Sequence, residues 1–313
     1  MKREWVDDVY KRLLDEDWEC LPPYLRGGQM GVGMFMALYS EYKNSRKARN
    51  LAAKMLREVA KSIRSLSNHL LDGRIGIAWG MKYLSDKRIL EEDDALRDIH
   101  KKVLNECLSY CSMTPIYLPK NEHLFSVGLY IAQLFRPEDS LERYILEERL
   151  LELIDECDRQ LHTTIKGIYS PKNMSLSMLH SILCFLKKMD RERIYPYQTQ
   201  KLIECAENVY DIIKHKGLLD DYVCRELMGK MNTLQKGRTI DFYMKFIGSL
   251  GYYSLLYNCP EIFNTALKKR NEQCSAFSSE VVQLIQKGPV DIETLCGWGL
   301  GLLTYTNQEG NEK

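Results

Sequence analysis

Imidazoles and thiols are the side chains best suited to carry protons or attack carbon near neutral pH, and this sequence holds few of them outside apolar runs. His180, in "NMSLSMLHSILCFL", has no carboxylate beside it in the chain, a setting that fits a hydrogen-bonded core histidine as well as an acid–base group. His123 follows Glu122 at the start of "HLFSVGLYIAQLF", where the pair fits either a cavity-facing acid–base group or a helix cap. Cys107 and Cys111, in "CLSYC", lie one helical turn apart, but no histidine or third cysteine stands at ligand spacing, so two half-buried thiols at a helix end is the simpler reading. The carboxylates Glu122, Asp241, Asp291 and Glu293 fall near the starts of apolar helices. Facing one another across a cavity, two of them would give the acid and base of an α/α-barrel enzyme acting on carbohydrate or another small substrate. Arg74, Lys245, Trp79 and Trp298 lie at similar positions. Cations and indoles there would suit an acidic or extended peptide ligand, while the indoles would equally suit core filling. Tyr252, Tyr253 and Tyr257 follow helical spacing and suit packing. Neither a glycine-rich phosphate loop after a strand nor a nucleophile elbow occurs.

The elements that position these residues are helices. Apolar residues recur at spacings of three and four in "RNLAAKMLREVAKSI" and "LERYILEERLLELIDECDRQL", and prolines cluster between such runs, as in "LPPY", "YPY" and "NCPE", where they would end helices. Two helix types alternate: a charge-rich amphipathic kind, and a low-charge kind that starts near Gly27, Asp72, His123, Asn173, Phe246 and Leu295. Six such starts at intervals of roughly fifty residues predict helical hairpins. The fold class expected is all-α, an α/α toroid of about six to seven hairpins with inner and outer rings, over a single domain 1–313. An open α-solenoid is the competing architecture. The longer interval between Asp190 and Asp241 predicts one outer helix plus an extra helix or insertion. Gly28 and Gly31, Gly73 and Gly76, and Gly248 and Gly251 share a spacing of three, which predicts bare backbone where inner helices crowd together; Gly80 falls outside that pattern.

Composition narrows the function. With 44 Lys and Arg against 43 Asp and Glu, no global field steers the chain to nucleic acid or an anionic membrane. The start "MKREWVDDVYKRLLDEDWE" is too charged for a signal peptide, and no segment approaches the apolar length of a membrane span, so a cytoplasmic protein is the expectation. The ten cysteines sit mostly in apolar runs, as reduced core residues would.

The stretches "LRGGQMGVGMFMALYSEY" and "DGRIGIAWGMKYLSDKRILEEDD" resemble the first two repeats of the lanthionine cyclase (LanC-like) family, and weaker likenesses continue through "SVGLYIAQLFR", "NMSLSMLHSILCFL" and "GSLGYYSLL". The resemblance implies an α/α toroid around a zinc held by two cysteines and a histidine, which activates a thiolate for addition to dehydrated serine or threonine of a precursor peptide. The ligand positions do not carry over. Met178 stands where the family has a histidine, although His180 lies two residues on, and Phe246 stands at the first zinc cysteine. Cys296 could match the second cysteine, with Gly297 in place of the adjacent histidine, or could match no ligand if this is the seventh inner helix. The expectation is therefore a degenerate LanC-like protein without zinc or another cofactor. Its partner would be a precursor peptide or a peptide-modifying enzyme, met through Arg74, Trp79, Lys245, Cys296 and Trp298, with Glu122, His123 and His180 as weaker catalytic candidates.

Overall fold

The computed structural model describes residues 2–113, 122–135, 140–165, 174–215 and 240–309. Among the described residues every regular element is helical, and no strand occurs. The α-helices are α1 (Lys2–Leu14), α2 (Gln29–Lys43), α3 (Arg46–Ser62), α4 (Arg74–Asp86), α5 (Asp94–Met113), α6 (Glu122–Leu134), α7 (Leu141–Ile165), α8 (Leu176–Arg191), α9 (Pro196–His215), α10 (Ile240–Leu256), α11 (Pro260–Gln273), α12 (Phe277–Lys287) and α13 (Ile292–Glu309). They form two compact units, residues 1–67, 71–93 and 232–313 in the first, and 68–70 and 94–231 in the second.

The local reasons for these helices are plain. Ser45 accepts the Ala48 N–H and starts α3, whose Ala48, Ala52, Met55, Leu56 and Val59 are buried at spacings of three and four. Asn44, with φ of 51°, makes the left-handed turn that ends α2 and lets the chain double back into α3. Ser175 starts α8 by accepting the Met178 N–H at 3.0 Å. Pro196 and Pro260 are the first residues of α9 and α11. These two prolines thus begin helices, where the missing N–H is no loss, in addition to separating one helix from the next.

The six low-charge helices appear as α2, α4, α6, α8, α10 and α13. The fifth begins at Ile240, so Phe246 lies in its second turn and not at its start. In the first unit α10 packs on α13, α13 on α2, and α2 on α4, while α3 and α11 cover α2 and α10 from outside. In the second unit α6 packs on α8, with α7 and α9 paired beside them. An open solenoid keeps its first and last repeats apart. Here the last helix, α13, is packed against both α1 and α2. The outer helix expected between Asp190 and Asp241 is α9, and the remainder of that interval, 216–239, lies outside the described residues.

Glycine acts in more than one way. A Cβ on Gly251 would fall on the carbonyl oxygen of Gly297, and one on Gly297 would fall on that of Gly248, so α10 and α13 cross backbone to backbone. At Gly28 and Gly31 a Cβ would strike the carbonyls of Pro22, Tyr24 or Leu25, in the loop folded over the start of α2, and at Gly31 it would also lie 3.2 Å from Cys296 Sγ on α13. Gly80 faces α2, where the Met30 Cε and Met34 Sδ would lie 2.5 and 2.6 Å from an added Cβ. It has a packing role that its sequence spacing did not reveal.

Candidate functional site

The first unit gathers charged groups over the starts of α2, α4 and α13. Arg26, in the loop before α2, binds Asp72 with both ends of its guanidinium, Nη2 to Oδ2 at 2.5 Å and Nε to Oδ1 at 3.2 Å, and its Nε lies 3.8 Å from Glu293 Oε1. Backbone contacts fix that loop, since Arg26 N–H donates to the Leu71 carbonyl at 2.9 Å and Arg74 N–H to the Ser67 carbonyl at 3.0 Å. Underneath, the Tyr252 hydroxyl accepts the Gly27 N–H and donates to the Glu293 carbonyl, both at 3.2 Å. Gly27 has φ of +63°, and a Cβ there would lie 3.1 Å from that of Glu293, so the loop and α13 meet closely at this glycine. Asp291 precedes the first residue of α13, accepts the Thr294 N–H at 2.7 Å and lies 3.5 Å from Lys245 Nζ.

These surroundings push the two acids at the start of α13 in opposite directions. Partial burial raises the pKa of Glu293 against the pull of Arg26, with Asp291 and Asp72 adding to the rise. Burial also disfavours ionised Asp291, but its hydrogen bonds from Thr294 and the charge of Lys245 outweigh burial and hold it below the ordinary aspartate value. Because the native pKa of Asp291 lies below the unfolded one, its stabilisation is complete above the unfolded value and is lost as pH falls through the native one. Asp291→Ala should therefore cost about 1 kcal/mol at neutral pH as a lost helix cap. Urea unfolding should show the gap from the parent closing as pH falls through that native pKa.

The remaining candidates take varied places. Arg74 is half-buried at the start of α4, and Lys245 is mostly exposed. Trp79 is buried and stacks on Tyr83, with centroids 5.3 Å apart. Trp298 is buried edge-on to Trp5 and Phe263, and its Nε1–H donates to the Met244 carbonyl at 2.9 Å. Cys296 is buried beside Tyr252, and that burial pushes its thiol up to about 12, the opposite of what a thiolate ligand or nucleophile needs. In the second unit the His180 Nε2 lies 3.4 Å from Cys184 Sγ one turn along α8. Cys107 is buried, while the side chains of Cys111, Glu122 and His123 lie outside the described residues. Asp241 is exposed at the start of α10. Sequence reasoning missed Arg26 and Asp72, although each immediately precedes a glycine near the start of a low-charge helix.

The sequence profile described as lanthionine synthetase C-like protein matches residues 19–180, more than half of the chain. The chain belongs to the lanthionine synthetase C-like family. No curated protein and no solved structure matches it. In this LanC-like chain the residues at the family's zinc positions do not fit the metal. Phe246, at the first cysteine position, is a buried apolar side chain, and Gly297, where the adjacent histidine falls if Cys296 matches the second cysteine, has no room for a side chain against the Gly248 carbonyl; Met178, at a further histidine position of the family, is buried and apolar as well. Among the described residues no three His, Cys, Asp or Glu side chains gather to hold a metal ion, and no helix is long and apolar enough to cross a membrane.

Proposed function

We propose that this LanC-like protein keeps the family's helical scaffold without its zinc-dependent cyclase chemistry. It works in the maturation of peptide natural products by binding a precursor peptide or a peptide-modifying enzyme. The observation that carries this reading is the crossing at Gly297: if Cys296 matches the family's second cysteine, the place of the adjacent ligand histidine is taken by neighbouring backbone, and if it does not, the last helix offers no ligand at all. The half-exposed array of Arg26, Asp72, Lys245, Asp291 and Glu293 supplies fixed charges of both signs for an extended peptide. No step of thioether formation is assigned to any residue.

The test uses a fluorescent synthetic peptide bearing one dehydroalanine and one cysteine, incubated with the full chain with and without added zinc. Binding by anisotropy, weakened in Arg26→Ala and Lys245→Glu, with thioether formation no faster than in buffer, is the expected result. Acceleration of ring closure would overturn the loss of cyclase activity, and absence of binding would overturn the peptide-binding role.

A second reading, an α/α enzyme using cavity carboxylates, draws on the opposed shifts of Asp291 and Glu293, which is how an acid and a base are set apart. Against it, Asp291 is engaged as a helix cap and Glu293 faces Arg26.

A further inference from the structure

The second unit carries exposed apolar side chains on α7 and at the start of α9. Among the described residues the exposed large hydrophobic side chains are Leu141 (77%), Tyr144 (55%), Ile145 (39%), Leu151 (39%) and Tyr197 (76%), all on α7 or the first turn of α9. Monomeric surfaces seldom collect such residues in one place without an interaction to serve. The Tyr195 hydroxyl donates to Glu147 at 2.7 Å, which ties the start of α9, where Tyr197 is exposed, to the second turn of α7.

Along α7 the exposed positions 141, 144, 145, 148, 151, 152 and 155 follow helical spacing, and they read Leu, Tyr, Ile, Glu, Leu, Glu and Asp. None of these seven positions is basic, and the guanidinium of Arg143 lies over the Tyr144 ring, 5.6 Å from its centroid. Glu152 is held by Arg149 at 2.5 Å, while Glu148 and Asp155, like the neighbouring exposed Glu142, have no ion pair among the described residues. Apolar anchors bracketed by carboxylates call for a partner of the same pattern and opposite charge.

We propose that this α7–α9 stripe docks a basic amphipathic helix of a partner polypeptide. A second copy of the chain is a poorer occupant. Pairing α7 with itself would bring acidic stripes together, and the basic helix α3, with Arg46, Lys47, Arg49, Lys54, Arg57 and Lys61, exposes no large hydrophobic residue. The stripe belongs to the second unit and the Arg26 array to the first, so the docking role stands or falls separately from the peptide-binding reading.

The test measures anisotropy of a labelled synthetic helix with leucine on one face and lysine on the other, added to the full chain at low and high salt. Binding should weaken with salt and fall about tenfold or more in Leu141→Ser/Ile145→Ser. Glu148→Lys/Asp155→Lys should lose the lysine probe and gain a glutamate version of it, an exchange that an unfolded variant could not show. Equal affinity in the serine variant, equal binding of both probes to the parent chain, or dimerisation through α7 in sedimentation would overturn the proposal.

Discussion

Trp298→Ala should destabilise the protein by about 3–5 kcal/mol, the range for removing a fully buried large aromatic. The indole is sealed between the Trp5 ring, 5.9 Å away, and the Phe263 ring, 5.5 Å away, so truncation opens a cavity between α1, α11 and α13 that rigid helices cannot collapse to fill. It also removes the hydrogen bond from the indole Nε1–H to the Met244 carbonyl, which keeps its own helical bond within α10. Urea unfolding monitored by far-ultraviolet circular dichroism would measure the change. A loss below about 1 kcal/mol would mean that the indole is replaceable in the core and free for a ligand role.

Gly297→Ala should rank beside it, for the opposite reason. An added methyl there meets backbone, the carbonyl of Gly248, and not the tip of a movable side chain, so the whole crossing of α10 and α13 has to open. Overpacking a core costs about 1–3 kcal/mol when side chains can adjust, and a backbone collision belongs at or above the top of that range. Gly33→Ala is the control. Its added Cβ would sit 3.4 Å from Leu56 Cδ2 and Met55 Cβ, ordinary contact, so a better helix former should leave stability unchanged or raise it by about 0.5–1 kcal/mol. Equal effects of the two substitutions, compared in parallel urea curves, would refute the close crossing.

The helical plan was legible because it depends on local periodicity. Six low-charge runs became six helices, and the charge pattern of α3, with its buried stripe at spacings of three and four, was readable directly. The start of the fifth run was not, since "IDFYMK" places charges among apolar residues and hides the first turn of α10. Glycine spacing pointed to the right crossing at Gly248 and Gly251 but could not name Gly297 as the partner. It also assigned to Gly28 a helix contact that belongs to the loop before α2, while Gly31 faces both that loop and Cys296 of α13. The candidate site was only partly legible. Lys245, Asp291 and Glu293 could be placed near helix starts, whereas Arg26 and Asp72 meet across 46 residues and leave no mark on either local pattern. Trp79 and Trp298 illustrate the same limit, because helical position told where they begin and not that their faces are closed by packing. The family match ends at residue 180, before Phe246, Cys296 and Gly297, and for those positions the crossing of α10 and α13 supplies the physical argument.

On the proposed reading the family scaffold persists here without its metal. The direct measurement is elemental analysis of the full chain, purified without added zinc and then dialysed against the metal, with the bound zinc compared with the protein concentration. Far less than one zinc per chain is expected, with no change in thermal unfolding on adding it. One tightly held zinc per chain, with a matching rise in unfolding temperature, would contradict that reading and restore a cyclase.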